Sequence, residues 1–315
     1  MLTYRRSEAM MHSMQSLICV LVLILSLPAS VAESISCAKR RVVVSVLDRK
    51  GEVVHGLAPA MFQARVHGQT LRISGADEST VPRRVVIAVD LSGSARQNAE
   101  LSRLLAGNMA VSAEAEKLRV ALVLFSDHII DSVKFSQSSG DVVNKLIKVP
   151  DPQGRTALFD ALDYSSNMFN EPLPGDSIYL ISDGEENASA IHQTQLEKEI
   201  AERGIRIFSF QLVSNPYFPT EEGRVSGSLL SHLAELTGGM SLKIDVDSSG
   251  KGKERLREAL QKLYRQIADV YELEIEMPLD PSQQTERWDL SVLDQQGRRR
   301  KDVQVLFPHE ATCPK

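Results

Sequence analysis

Between residues 84 and 244 the chain alternates short apolar runs with longer amphipathic stretches. The first run, Val85–Val89, contains no polar residue, which is typical of a strand that is buried on both faces of a parallel sheet. Strands that alternate with helices favour a doubly wound, mostly parallel sheet, so we predict an α/β fold. The predicted strands are 85–90, 118–125, 129–134, 177–182, 205–213 and 240–244. The predicted helices lie near 96–113, 140–148, 157–169, 192–203 and 228–237.

One edge strand of this sheet is predicted to run antiparallel to its neighbour. The apolar stretches Leu118–Phe125 and Ile129–Phe135 are joined only by Ser126, Asp127 and His128. A connection this short indicates a hairpin.

Both ends of the chain show the period-two alternation of half-buried strands. We expect the strands of the two ends to form one β-sandwich-like unit, with the α/β domain inserted between them. These strands are Val42–Leu47, Phe62–Val66, Tyr271–Glu276, Trp288–Val292 and Val303–Phe307. The predicted organisation is an N-terminal β unit at 33–81, the α/β domain at 82–246, an amphipathic helix at 247–270 and C-terminal strands at 271–315.

Residues 1–32 are predicted to be a secretory signal peptide. The basic residues Arg5 and Arg6 precede an apolar stretch at 16–27, and small residues lead to a predicted cleavage after Ala32. The apolar stretch of 12 residues is too short to span a bilayer, although an uncleaved anchor helix stays open as an alternative. We therefore expect a secreted or periplasmic protein with no later membrane span.

Composition and charge restrict the partners. The 315 residues are 43% apolar and 24% charged, as in an ordinary globular protein, and the formal net charge is −5. This acidic balance argues against nucleic acid and against an anionic membrane as partners. Cleavage would leave two cysteines, Cys37 and Cys313, and an even pair in an exported protein favours a disulfide, with two independent thiols as the alternative.

Oxygen-bearing side chains follow the predicted strands. Asp90, Ser92 and Ser94 come directly after the first buried strand, where open α/β sheets place their binding sites. Thr156 stands at the start of a predicted helix, and Asp183 follows the buried strand at 177–182. If both strand ends point to the same edge of the sheet, these five side chains converge.

Five oxygen donors without histidine or cysteine select Mg²⁺, or else Mn²⁺ or Ca²⁺, over zinc or copper. Neutral hydroxyls fill most of the direct positions, so the cation keeps much of its positive charge. A coordination position is left for an outside group, and a carboxylate from a protein partner would complete the shell. The site is therefore predicted to hold an acidic residue of another protein.

Three segments resemble the von Willebrand factor A-type domain and its metal-ion-dependent adhesion site. They are Asp-x-Ser-x-Ser at 90–94, Gly-Arg-Thr-Ala-Leu-Phe-Asp-Ala at 154–161 and Ser-Asp-Gly-Glu-Glu-Asn at 182–187. The resemblance covers roughly 83–245 and implies a Rossmann-like fold. It also implies that Ser92, Ser94 and Thr156 supply hydroxyls, while Asp90 and Asp183 bind the metal directly or through water.

The regions beside this domain are similar to those of bacterial exported proteins that carry an A-type domain. One departure from the family pattern is Ala95, where many relatives have methionine, and it leaves every ligand position intact.

Three charged residues beside the predicted metal are candidates for contact with a partner: Arg155, Glu185 and Glu186. An ordinary solvated loop is the alternative interpretation of all three.

We predict a protein-binding or adhesion module and no enzyme. No Gly-x-Gly-x-x-Gly follows Val89, and Ser92 lacks the preceding Gly-x of a nucleophile elbow. A structural protein with a purely structural metal is the main alternative. A metal-dependent phosphoesterase is the less favoured one, because Ser92 stands where such enzymes usually carry a second acid.

Overall fold

The computed structural model of the protein describes residues 37–79, 83–115, 118–135, 138–212, 221–244, 250–278 and 285–312. The predicted signal peptide and Cys313 lie outside the described residues, so the cleavage and the disulfide stay predictions. Within the described ranges no helix is long and apolar enough to cross a membrane.

The described residues form two sheets and six α-helices. In chain order the strands are β1 Cys37–Asp48, β2 Phe62–Val66, β3 Gln69–Glu78, β4 Arg84–Asp90, β5 Arg119–Phe125, β6 Ile129–Val133, β7 Ser177–Ser182, β8 Arg206–Leu212, β9 Met240–Ile244, β10 Tyr271–Pro278, β11 Thr285–Val292, β12 Val303–Leu306 and β13 Glu310–Thr312. The helices are α1 Ala99–Ala115, α2 Ser139–Ile147, α3 Leu158–Asn167, α4 Gln193–Arg203, α5 Glu221–Leu236 and α6 Gly250–Ala268.

The central sheet has the strand order β6-β5-β4-β7-β8-β9 and is mostly parallel. Strand β6 is the exception, because it pairs antiparallel with β5 and so confirms the predicted hairpin. The observed bounds of β7 and β9 are those predicted from the sequence, 177–182 and 240–244. Helix α5 begins at Glu221, seven residues before the predicted start at 228.

Helices cover both faces of the central sheet. Strand β4 contributes side chains to both faces, because successive residues of a strand point to opposite sides. Val85, Ile87 and Val89 join a buried core with α1, α2 and α6. Val86 and Ala88 join a second core with α3, α4 and α5. The helix predicted as a separate segment at 247–270 therefore packs on the central sheet as α6.

The strands of the two chain ends form one antiparallel sheet of seven strands, ordered β12-β1-β10-β3-β2-β11-β13 and called the flanking sheet below. Strands from both chain ends pair with one another, since β1 pairs with β10 and with β12. The predicted sandwich-like layering is replaced by one sheet. Its inner residues, among them Val44, Phe62, Tyr271 and Leu290, share a single core, so the sheet curves around it.

Hydrogen bonds join the flanking sheet to the central sheet and its helices. The Ser45 hydroxyl donates to the carbonyl of Gln266 at 2.9 Å, and the His309 N–H donates to the carbonyl of Leu236 at 3.1 Å. The guanidinium of the buried Arg83 donates to Glu272 at 3.1 Å. The position of the flanking sheet is therefore fixed by polar as well as apolar contacts.

A pair of glycine substitutions tests this packing. A Cβ at Gly239, just before β9, would lie 1.9 Å from the carbonyl oxygen of Ile207, so Gly239→Ala should lower the free energy of unfolding by about 3 kcal/mol or more. A Cβ at Gly107, within α1, meets nothing within 4 Å, so Gly107→Ala should raise it by about 0.5–1 kcal/mol. Urea unfolding measures both changes. A neutral Gly239→Ala would contradict the close approach of β8 and the Gly239 backbone.

Candidate functional site

The candidate site begins at the carboxyl end of β4, which pairs in parallel with β7. Asp90, the last residue of β4, is only 1% exposed. One of its carboxylate oxygens accepts the Ser92 N–H at 2.8 Å, and the other accepts the Ser182 hydroxyl at 2.7 Å. Both oxygens are therefore held in fixed positions by the ends of two neighbouring strands.

Two further hydrogen bonds fasten the loop after β4 to the segment that precedes α3. The Gly93 N–H donates to the carbonyl of Gly154 at 3.0 Å, and the Gln153 N–H donates to the carbonyl of Leu91 at 2.9 Å. Within the loop, the hydroxyls of Ser92 and Ser94 lie 3.0 Å apart. The two serines are thus held beside the segment that carries Thr156.

The backbone of Thr156 is bound to the loop after β7. Its N–H donates to the side-chain carbonyl of Asn187 at 2.9 Å, and its own carbonyl accepts the N–H groups of Asn187 and Ala188 at 3.0 Å each. The Thr156 hydroxyl is different. It is fully buried and has no hydrogen-bond partner among the described residues, and leaving such a group unsatisfied costs roughly 1–3 kcal/mol.

Asp183, the residue after β7, brings a second carboxylate to this edge. One of its oxygens accepts the Glu185 N–H at 3.1 Å. Burial raises the pKa of the Asp90 carboxyl to about 6; the negative charge of Asp183 adds to this rise, and the hydrogen bonds from Ser182 and Ser92 oppose it. In the described part of the chain neither aspartate forms an ion pair with a basic side chain.

The donor set fits a hard divalent cation in its chemistry. The structure joins the three loops that carry Asp90, Ser92, Ser94, Thr156 and Asp183, and every donor is an oxygen. No group of three or more His, Cys, Asp or Glu side chains is placed to hold a metal within the described ranges. Any cation here would therefore depend on the hydroxyls as well as on the two aspartates, and metal binding stays a prediction.

The three predicted partner contacts have different surroundings. Arg155 is exposed, and no hydrogen bond or ion pair to it is found in the described part of the chain. Glu185 is half-buried, and its side chain accepts only a long bond of 3.5 Å from the Asn187 amide. Glu186 is engaged internally: one oxygen accepts the Phe159 N–H at the start of α3 at 3.0 Å and the Ser189 hydroxyl at 2.6 Å.

The other Glu186 oxygen accepts the N–H groups of Ala188 and Ser189 at 3.1 and 2.9 Å. This carboxylate therefore braces the loop after β7 against α3, and its contact with a partner stays a prediction. Sequence analysis assigned no role to Ser182, and it considered Asn187 only as a residue that tunes partner choice or lies in a solvated loop. Their positions beside Asp183 are a local signal, whereas their partners Asp90 and Thr156 are distant in sequence.

One family model matches part of the chain. Residues 85–186 match the von Willebrand factor type A domain. The matched segment includes all five predicted ligands and supports an A-type domain in this chain. A comparison with curated proteins gives no match.

Several solved structures are similar to the chain. The conserved hypothetical protein BatB from Bacteroides thetaiotaomicron is 20% identical, with a TM-score of 0.40, over 58% of this chain and 98% of its own. An aerotolerance-related membrane protein from Bacteroides fragilis is 19% identical, with a TM-score of 0.42, over 57% and 98%. The pilus adhesin SpaC from Lactobacillus rhamnosus GG is 15% identical, with a TM-score of 0.45, over 70% of this chain and 34% of its own.

The adjacent residues Glu185 and Glu186 offer a matched test of the role of Glu186 in the loop after β7. Glu186→Ala removes the acceptor for four donors and should lower the free energy of unfolding by about 1–3 kcal/mol, because the part-buried N–H and hydroxyl of Ser189 lose their partner. Glu185→Ala removes one long hydrogen bond and should change it by less than about 0.5 kcal/mol. Chemical denaturation in EDTA measures both. Equal effects would contradict the bracing role of Glu186.

Proposed function

We propose that the A-type domain is a protein-interaction module that binds a divalent cation and uses it to coordinate an acidic residue of a protein partner. The proposed ligands are Asp90, Ser92, Ser94, Thr156 and Asp183, and Mg²⁺ is the expected cation, with Mn²⁺ or Ca²⁺ as substitutes. The family match supports the coarser part of this proposal, a module for protein interaction or adhesion. The cation and the coordinated acid are supported by the chemistry of the site.

The observation that carries the proposal is the hydroxyl of Thr156. A buried hydroxyl normally finds a hydrogen-bond partner, and this one has none among the described residues. It is held by its own backbone between loops that present two serine hydroxyls and two carboxylates. A hard cation would use the oxygen lone pairs that no protein donor satisfies.

Charge supports the same proposal. Asp90 and Asp183 together carry two negative charges when ionised, and a divalent cation balances them. The remaining proposed ligands are neutral, so a further carboxylate can approach without repulsion from an excess of acids. Arg155, exposed on the loop that also carries Thr156, adds a positive charge at the mouth of the site.

A pair of threonine substitutions tests whether the site binds a divalent cation through Thr156. Thr156→Val should leave the stability of the metal-free protein unchanged or slightly higher, because it removes an unsatisfied hydroxyl, and it should abolish the rise in Tm that Mg²⁺ or Mn²⁺ causes in the wild type. Differential scanning calorimetry with and without the cation measures both effects.

Thr237→Val is the matched control. The Thr237 hydroxyl is also buried, but it donates to the carbonyl of Leu233 at 2.8 Å and accepts the Ile207 N–H at 2.9 Å. This variant should lose about 1–3 kcal/mol of stability and keep the cation-induced rise in Tm. If Thr156→Val keeps that rise too, the hydroxyl is no ligand.

Partner binding is tested by capture from the extracellular fraction on the immobilised protein. We expect a partner that is retained in Mg²⁺, released by EDTA and lost with Asp90→Ala or Ser92→Ala, because each variant removes a proposed ligand. Replacement of the contacting acid in the identified partner by its amide should also abolish capture.

The two alternatives give other outcomes. Capture that survives EDTA, together with a cation-induced rise in Tm, would favour a purely structural metal. Turnover of a generic phosphoester that is lost with Asp90→Asn would favour a phosphoesterase.

A further inference from the structure

The free edges of the two sheets face the same space. Strand β9 is the last strand of the central sheet, and β12 is the last strand of the flanking sheet. The two chain segments meet at Thr237 and Pro308, which form an antiparallel bridge, and the His309 N–H donates to the carbonyl of Leu236 nearby. Within the described ranges β9 pairs only with β8, and β12 pairs only with β1. The outer edge of each strand is therefore open.

The space between these edges consists of two cavities that share Met240 and Gln304 as lining residues. The smaller, of about 270 Å³, is lined in part by the consecutive residues 238–241 and 304–307. Successive side chains of a strand point to opposite faces, so a lining of consecutive residues indicates that this cavity runs along the strand edges. The larger, of about 490 Å³, extends from Gln304 to α6 and to the turn after β1. The two cavities together are called the edge groove below.

Both edges of the groove can be reached by another molecule. Gln304 on β12 is exposed, and its neighbours Val303 and Val305 are half-buried, as are Met240 and Leu242 on β9. An open edge presents a row of main-chain N–H and C=O groups, which is a template for pairing with another chain. The edge groove therefore suits a ligand with an extended backbone.

The larger cavity has an apolar floor. It is lined by Leu47 from β1, by Met240 and Leu242 from β9, and by Ala259 and Leu263 from α6. Leu47 and Leu263 are buried, but the other three are only half-buried. Apolar surface that stays accessible in a groove favours a ligand that places an apolar side chain there.

Three exposed basic residues stand around this floor: Arg49, Lys50 and Lys301. Their side chains form no hydrogen bond or ion pair within the described ranges. Arg49 nevertheless lies close enough to Asp302 to help lower the pKa of that carboxyl, which is lowered mainly by its hydrogen bond from Arg300.

The acids near these bases are already shared. Glu52 pairs with Arg265 at 2.9 Å and with Lys262 at 3.9 Å, and Asp302 pairs with Arg300 at 2.7 Å. The third acid, Asp48, accepts two main-chain N–H groups. Basic side chains therefore outnumber acidic ones by six to three in this part of the described chain. They are Arg49, Lys50, Lys262, Arg265, Arg300 and Lys301, against Asp48, Glu52 and Asp302.

An ordinary solvated surface explains the basic residues alone. It leaves unexplained the accessible apolar floor beside them and the two open strand edges along the same groove. A small inorganic anion would use the charges and neither of the other two features. A peptide with acidic residues uses all three.

We propose that the edge groove binds an extended acidic segment of a partner protein, which adds as a strand to the free edge of β12. Main-chain hydrogen bonds to an edge strand supply affinity, and side-chain contacts supply specificity. One apolar side chain of the segment would lie on Met240 and Leu242. Its acidic residues would lie at the end of the groove near Arg49 and Lys301, because Glu235 lines the opposite end. Asp90 and Asp183 line neither cavity, so this site is separate from the proposed cation site.

Fluorescence anisotropy of labelled peptides with the full chain tests this proposal. The acidic probe has about eight residues, which span about 26 Å when extended. It alternates threonine and valine and carries three aspartates at one terminus, in one version at the amino end and in another at the carboxyl end. Lysines replace the aspartates in a second probe, and a third keeps the aspartates but has N-methyl groups along its alternating part. EDTA in the buffer prevents the aspartates from binding a cation at the other site.

We expect one version of the acidic probe to bind, and the lysine and N-methylated probes to bind at least about 10-fold more weakly, because they lose charge attraction or main-chain hydrogen bonds. Equal binding of aspartate and lysine probes would overturn the acidic ligand. Undiminished binding of the N-methylated probe would overturn strand addition. Failure of both acidic versions to bind would overturn the site.

Charge-reversal variants locate the binding. Arg49→Glu and Lys301→Glu should each weaken binding of the acidic probe by about 5- to 10-fold, because attraction is replaced by repulsion. Lys148→Glu, an exposed position after α2 and outside the groove, is the matched control and should leave binding unchanged. Full affinity in both groove variants would show that the peptide binds elsewhere. Sedimentation with phosphatidylglycerol vesicles that is lost with Lys301→Glu, in a protein that binds no acidic probe, would overturn the proposal in favour of an anionic membrane.

Discussion

The parallel register of β4 with its two neighbours is the constraint on which the rest of the structure depends. Asp90 pairs with Phe125 on one side, and Val89 pairs with Ile181 on the other, so the three strands end level with one another. A shift of one residue would move every apolar side chain of β4 to the opposite face. The same shift would take the Asp90 carboxylate away from the Ser182 hydroxyl, so core packing and site geometry are fixed together.

This register also explains why the candidate site is rigid. The loops that leave the strand ends bind one another through backbone groups, at Gly93 with Gly154 and at Thr156 with Asn187 and Ala188. Because the loops' polar backbone is satisfied internally, the side-chain oxygens are the groups left for outside chemistry. Glu186 adds to this by occupying N–H groups at the start of α3 and in the loop after β7. Side chains that are already held in place lose little conformational entropy when they bind another group.

Local patterns predicted the parts of the molecule that local chemistry determines. The apolar run that became β7 and the alternating segment Met240–Ile244 that became β9 have few alternatives, and the three-residue connection before Ile129 permits little besides a hairpin. The loops after β4 and β7 lie at one edge because they follow neighbouring parallel strands, and the convergence of all five oxygen side chains stays a prediction. Period-two alternation, by contrast, shows which face of a strand is buried and does not show which other strand pairs with it. In the antiparallel register of β1 with β10, Cys37 lies opposite Pro278, which is far away in the chain. The single flanking sheet was therefore not predicted.

The burial of charged side chains also could not be predicted from the sequence, because it depends on residues that are distant in the chain. Glu186 resembles any acid in a polar loop until α3 packs beside it, and Arg206 resembles an ordinary basic residue at the start of a strand. Its surroundings come from Ser45 on β1 and Gly238 before β9. Neither contact leaves a periodic signal in the sequence.

Asp90 and Arg206 are buried at opposite ends of the central sheet, and distance prevents their charges from neutralising each other. Asp90 ends β4 and Arg206 begins β8, and at about 3.3 Å per residue these strand ends lie about 20 Å apart. At an effective dielectric constant of 20, two unit charges at that separation interact by only about 0.8 kcal/mol, against about 4 kcal/mol at 4 Å. A group that balances either charge must therefore lie close to it.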